Sequence, residues 1–134
     1  MKTALYLQVV KKVKDMRSAC PLNFGLELFG DKWTLLIIRD LLLFGKRHFN
    51  EILSSEEGIS TNILADRLAM LEAEKVVKKR KDPEHKQKMV YSLTDKGRDL
   101  LPVILAIGEW SGKYAAEVLP RLEVVREIVG GLKD

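Results

Sequence analysis

Between residues 75 and 88 the chain carries seven basic side chains, Lys75, Lys78, Lys79, Arg80, Lys81, Lys86 and Lys88, against two acids, Asp82 and Glu84. That stretch has a net charge of +5 in a chain of formal net charge +4, so the remaining residues together sum to −1. Such a concentration is what an element meeting a polyanion requires, because each phosphate it neutralises releases condensed counterions. A solvated, mobile loop has the same composition, and the charge run alone does not separate the two. Upstream, Ser60, Thr61 and Asn62 offer hydroxyl and amide groups where a helix begins. Free backbone N–H groups at such an end also meet phosphates or base edges. Asp66 and Arg67 lie further along the same segment. Arg67, on the flank of the apolar stripe, suits a phosphate or a guanine edge as well as it suits a salt bridge to Glu51 or Glu72.

Other chemistry is scarce. Cys20 is the single cysteine, which excludes an intrachain disulfide and leaves a buried thiol or a reactive one. With His48 and His85 as the only histidines, an ordinary structural zinc site cannot be built within one chain. No Gly-rich phosphate loop, nucleophile elbow, metal-spaced cluster or acid-base pair is visible, so no enzyme activity, metal or cofactor is expected.

The elements that hold these groups follow from hydrophobic spacing. Leu5, Val9, Val13 and Met16 recur at helical intervals and predict a helix over residues 3–17. Pro21 suits the start of a helix over 22–29 that Gly30 ends, and Asp31 suits the cap of the next, 32–44, closed by Gly45. A short helix over 48–54 turns Phe49, Ile52 and Leu53 inward. After the polar SSEEG break, Ser60 caps a helix to about residue 74. Its Leu64, Leu68 and Leu71 share one face, with Asn62, Asp66, Ala69 and Ala73 opposite.

From Val76 the period shifts toward alternation, and VVKKRK, a DPEHK turn and KMVYSL read as a hairpin. Thr94 then caps a long helix striped by Leu100, Ile104, Ile107, Ser111, Tyr114 and Val118, with Pro102 kinking it or breaking one turn. Pro120 sets off a last helix over 121–129, striped by Leu122, Val125 and Val129 and ended by Gly130-Gly131. Trp33, Trp110, Phe29 and Tyr114 are expected in the core.

A chain of 134 residues that is 46% hydrophobic and 31% charged fits one globular domain. No apolar run reaches bilayer length, and the lysine-interrupted N-terminus lacks the pattern of a signal peptide. A cytoplasmic protein with no membrane role is expected. The element order is that of a winged helix-turn-helix, mainly α with a small β-hairpin wing. In that order, residues 1–17 form an N-terminal dimerisation helix, 21–93 the winged core and 94–134 the C-terminal dimerisation helices. The helix from Ser60 then enters the major groove of a duplex, and the hairpin lies along phosphates or the minor groove. Apolar stripes on the outer helices point to a homodimer, with at least one of them crossing to the partner. A protein-interaction or RNA-binding module on the same fold is the alternative.

The runs CPLNFGLELFGDKWTLLIIRDLL, GKRHFNEIL, GISTNILADRLAMLEAEKVV and VYSLTDKGRDLLPVILAIGEW resemble the HxlR-type winged-helix regulators, relatives of the MarR group. The resemblance implies a homodimer on pseudo-palindromic operators. It also implies phosphate contacts near Arg47 and His48, where the family usually has arginine at the second position. Histidine there weakens the contact and makes it pH-sensitive, and Arg47 can substitute. The family favours glycine where this chain has Lys75, which must accept an unfavourable backbone if the turn is left-handed. Some members sense oxidants or electrophiles near the Cys-Pro position, which makes Cys20 a candidate sensor, with an oxidant or small molecule as effector. The opposing expectation is a small buried thiol beside the dimer helices.

Overall fold

In the computed structural model residues 13–132 are described. Most of the expected first helix, and with it the dimer role of residues 1–17, therefore lies outside the described residues. The stretch that follows is a 3-10 turn, Val13–Asp15, and then irregular chain to Cys20.

Helix α1, Pro21–Phe29, begins on a proline whose fixed φ suits a first turn, and Gly30 donates its N–H to the Leu26 carbonyl at the other end. The Asp31 carboxylate caps α2, Thr34–Leu42, accepting the N–H groups of Trp33 (2.9 Å) and Thr34 (3.0 Å) and the Thr34 hydroxyl (2.5 Å). Ile37 and Ile38 of α2 are at the centre of the core, with Ile52, Ile59, Leu64, Leu68, Leu71, Val76, Val77 and Leu93 packed around them. Gly45, at φ +65°, turns the chain after α2 in a conformation that disfavours a side chain.

Helix α3, Phe49–Leu53, buries Ile52 fully and Phe49 and Leu53 in part. Helix α4, Thr61–Ala73, is capped by Ser60, whose Oγ accepts the Ile63 N–H at 3.2 Å. Ser60→Ala is expected to lower unfolding free energy by about 1 kcal/mol, the ordinary value of a lost N-cap. Urea unfolding followed by circular dichroism checks this, with the midpoint falling at unchanged slope.

Strands β1, Val77–Lys81, and β2, Met89–Leu93, pair antiparallel with Val77 opposite Leu93 and Lys81 opposite Met89. Between α4 and β1, Lys75 has φ +61°, so the left-handed turn that favours glycine is made here by a lysine. Thr94 donates its N–H to the Val76 carbonyl and caps α5, Asp95–Arg98, by accepting the Gly97 N–H. A Cβ on Gly97 would lie 2.4 Å from the Val76 carbonyl oxygen, so only glycine lets this short helix sit against the strand entrance.

The single long helix expected from Thr94 is divided. After α5 the chain breaks at Asp99 and Leu100, and α6, Leu101–Tyr114, restarts with Pro102 in its first turn, where a missing N–H costs nothing. A 3-10 turn, Ala116–Val118, leads to α7, Leu119–Leu132. This last helix starts before Pro120 and runs through Gly130-Gly131, neither of which adopts the positive φ that would end it. Its stripe is used within the chain. Leu122 and Val129 are buried, and Leu122 sits where a Cβ on Gly112 would be 2.6 Å from its Cδ2. The core expectation for Trp110 and Tyr114 is overturned. They are 66% and 68% exposed and meet each other in a tilted contact with ring centroids 5.5 Å apart, whereas Phe29 and Trp33 are half-buried.

Candidate nucleic-acid interface

Helix α4 turns Leu64, Leu68 and Leu71 into the core and leaves Ser60, Thr61 and Asn62 exposed at its N-terminus. Asp66 lies half-exposed on the face opposite the leucines. The hairpin packs along the adjoining flank. Phe49, Ala65, Ala69, Glu72, Lys79 and Tyr91 line a cleft between it and the helix, and the Lys79 ammonium lies 3.9 Å from a Glu72 oxygen. The polar helix entrance and the basic hairpin therefore belong to neighbouring elements in direct contact.

Lys78, Arg80, Lys81, Lys86 and Lys88 are exposed and take part in no salt bridge among the described residues. Lys79 alone of the cluster spends part of its charge on an acid. Asp82, one of the two acids within the cluster, is turned inward and is 6% exposed. The hairpin thus presents its cations outward and withdraws its aspartate.

His48 holds that aspartate. Its Nε2 is 2.7 Å from Asp82 Oδ2 and its Nδ1 is 2.8 Å from Glu51 Oε1, so the protonated ring donates to a carboxylate on each side. Glu51 also accepts the backbone N–H groups of Arg47 and His48, closing a capping box at the start of α3. Asp82 Oδ1 accepts the Glu84 N–H, while the Asp82 N–H bonds the Lys88 carbonyl across the hairpin neck. These bonds, first to Asp82 and then to Glu51, raise the His48 pKa above its ordinary value. The same pairing, with His48 as the main cause, holds the Asp82 carboxyl at about 2.

The histidine contribution is full below about pH 6.5 and is lost as pH rises through its raised pKa; the aspartate contribution is full above about pH 4 and is lost as pH falls toward 2. The neck is tightest between those limits. Amide exchange at residues 82–88 is expected to quicken as pH rises from 6 to 9, after correction for intrinsic exchange. His48→Arg, charged throughout, is expected to remove that excess dependence.

Arg67 donates from Nε to Asp31 Oδ2 at 3.0 Å, so its partner is the acid that caps α2 rather than Glu51 or Glu72. Arg47 is exposed and accepts the Tyr91 N–H on its carbonyl. The Cys20 thiol is exposed at the start of α1 rather than buried. The backbone N–H groups of Asn23 and then Leu22 favour its thiolate and lower its pKa.

A second polar group is invisible in the residue pattern. Asp40, 1% exposed, accepts Arg39 Nη2 (2.8 Å), Lys46 Nζ (3.4 Å) and the Ser55 hydroxyl, while Arg39 also grips Glu57 at 2.7 Å. It ties α2 to both turns that flank α3. The only hint in the sequence is an aspartate inside an apolar run. Among the described residues, no three His, Cys, Asp or Glu side chains gather as a metal site requires, and no helix is long and apolar enough to cross a membrane.

The profile of the HxlR-like helix-turn-helix family matches residues 28–118. The chain is 34% identical over 88 residues to the helix-turn-helix transcriptional regulator sll1512 of Synechocystis sp.; the match covers 66% of this chain and 64% of that protein, a little under two thirds of it. It is 35% identical to YvaP of Bacillus subtilis, a protein of the same description, over 71% of this chain and 88% of the other. Among solved structures, the reduced form of the transcriptional regulator YodB from B. subtilis superimposes with a TM-score of 0.59 at 31% identity, covering 72% of this chain and 94% of that one. YodB has also been solved with bound quinone and after diamide treatment.

Proposed function

The chain belongs to the HxlR-like helix-turn-helix family, and from that premise we propose that it binds operator DNA as a homodimer and regulates transcription, with no catalytic activity and in the cytoplasm. The observation that carries this reading is the exposed Ser60-Thr61-Asn62 entrance of α4 beside a hairpin whose outward cations, Lys79 apart, lack acid partners among the described residues. The helix end enters the major groove, Thr61 and Asn62 meet base edges, and Lys78, Arg80, Lys81, Lys86 and Lys88 follow phosphates. Asp66 stands next in line on the same face, and Arg47 approaches the backbone beside the hairpin. Arg67 and His48 act through Asp31 and Asp82, setting the angle of helix and hairpin.

Dimerisation is assigned to α1 and α6 more than to α7. The large exposed apolar side chains Leu22, Phe24 and Leu26 lie on α1, and Trp110 and Tyr114 lie on α6, whereas Leu122 and Val129 of the α7 stripe are buried within the chain. A two-fold dimer that reads two half-sites needs its α4 helices about 34–36 Å apart, one turn of duplex. The effector is an oxidant or electrophile acting at Cys20. Support comes from the exposed, thiolate-favouring setting of that residue and from the quinone-bound and diamide-treated forms of the similar YodB.

Selection of bound fragments from random duplex DNA by the purified protein, with single-stranded RNA as control, tests the whole reading. Enrichment of a two-fold symmetric site is the expected result, and equal retention of RNA and duplex would defeat it. Diamide titration of the complex then addresses Cys20. Operator affinity that stays constant after complete modification removes the sensor role and leaves DNA binding intact.

A further inference from the structure

A cavity of about 250 Å³ lies between α2, α6 and α7. Leu35 and Leu36 form one wall, Ile104 and Ile107 a second, Leu122 and Val125 the third. Two guanidiniums, of Arg39 and Arg121, stand among the lining groups, and both are already paired. Arg39 holds Glu57 through two nitrogens and also bonds Asp40, and Arg121 holds Glu56. The one hydroxyl of the lining, on Ser111, donates to the Ile107 carbonyl at 2.8 Å.

An occupant therefore meets carbon on three sides and, among the described residues, no unpaired polar side chain. Binding sites of about this size that are mainly apolar take small organic molecules. We propose that this cavity binds an uncharged, mainly apolar compound of one or two rings. An anionic ligand would have to displace a glutamate from an arginine, and a cationic one would meet two guanidiniums and no lining acid among the described residues.

The face that suits a second copy borders the cavity on one side. At about 100° per residue, Trp110 and Tyr114 stand roughly a quarter-turn around α6 from Ile104, Gly108 and Ser111, with Ile107 between them, so a partner seated on the aromatic pair reaches the cavity edge at Ile107. The site is also placed to act on α4. Arg121 of α7 bridges to Glu56, and Arg39 of α2 to Glu57, both in the turn that leads to the Ser60 cap. A molecule wedged between α2 and α7 loads the Arg121 bridge, an exposed pair of little strength, and so changes how that turn is held. This consequence for duplex binding rests on the regulator reading above; the site itself does not.

The test uses 6-propionyl-2-(dimethylamino)naphthalene, an uncharged two-ring probe whose fluorescence rises and shifts to the blue in apolar surroundings, with the full chain. Saturable enhancement at one probe per chain is expected. Val125→Phe and Leu36→Phe, which fill the cavity from opposite walls, are each expected to weaken binding about tenfold, the effect of reduced space in a close-fitting apolar pocket. Val124→Phe, at a position 52% exposed, should leave binding unchanged. Circular dichroism and thermal unfolding of each variant establish that it is folded.

Equal enhancement in both filled variants and the wild type would overturn the proposal. A stoichiometry that falls toward zero as the chain self-associates would also overturn it, by making the second copy the occupant. Probe binding abolished in the filled variants, in a protein that retains no duplex, would uphold the site and defeat only the DNA reading. Where duplex is bound, the probe should shift its affinity in the wild type and in Val124→Phe but not in the filled variants.

Discussion

Replacement of Lys78, Lys81, Lys86 and Lys88 together by glutamine is expected to cut the slope of log affinity against log salt by about 7.2 for the dimer, at ~0.9 for each of the eight phosphates no longer neutralised. The same charges account for about a ten-thousandfold affinity change between 50 and 200 mM salt, and the dependence left in the variant comes from Arg80 and Arg47. The fold should not change, because these side chains are exposed and hold no acid. Lys79 provides the internal comparison. Its ammonium already lies beside Glu72, and Lys79→Gln should reduce the slope by less than any of the others. Fluorescence anisotropy with a labelled operator at several salt concentrations measures both. A slope unchanged in the fourfold variant would remove the hairpin from the interface.

Asp40→Ala is expected to destabilise the fold by about 3 kcal/mol, the low end of what breaking a buried ion pair costs. The aspartate is almost fully buried, and its removal leaves Arg39 and Lys46 without their common acceptor. The loss stays at the low end because Arg39 keeps Glu57 and Lys46 keeps the Ser55 hydroxyl. Asp40→Asn retains an acceptor for Ser55 and should cost about half as much. Urea unfolding gives the difference. Because the same carboxylate joins α2 to the turns on either side of α3, operator affinity should fall with it.

What the sequence made legible has a physical pattern. The hairpin, the Ser60 and Thr94 caps and the leucine face of α4 depend on interactions within a few residues, and periodicity reports those directly. Pro102 signals a disturbance, but whether it bends a helix or starts a new one is decided by Gly97 and Thr94 packing on Val76, which no local pattern carries. The ion pairs are hidden for a related reason. Arg67 and Asp31 are 36 residues apart, His48 and Asp82 are 34 apart, and long flexible side chains choose partners only after the backbone has converged.

The aromatic pair shows a different limit. Trp110 and Tyr114 follow helical spacing as a core stripe would, yet spacing says which residues share a face and not what that face meets. The last helix departs from expectation in the opposite sense, since Leu122 of its stripe rests on Gly108 and Gly112 of α6.

Lys75 fixes the mechanical character of the reading head. Its left-handed backbone is locked from several directions: its N–H bonds the Glu72 carbonyl, its carbonyl accepts the Thr94 hydroxyl, and the next N–H bonds Leu71. A glycine at that bend would swivel; a lysine, confined to a narrow well, does not. Helix and hairpin accordingly form a rigid bracket of constant angle. A duplex docking there would have to supply whatever bending or groove widening the fit demands, and base steps that yield easily would be favoured even where no side chain touches them.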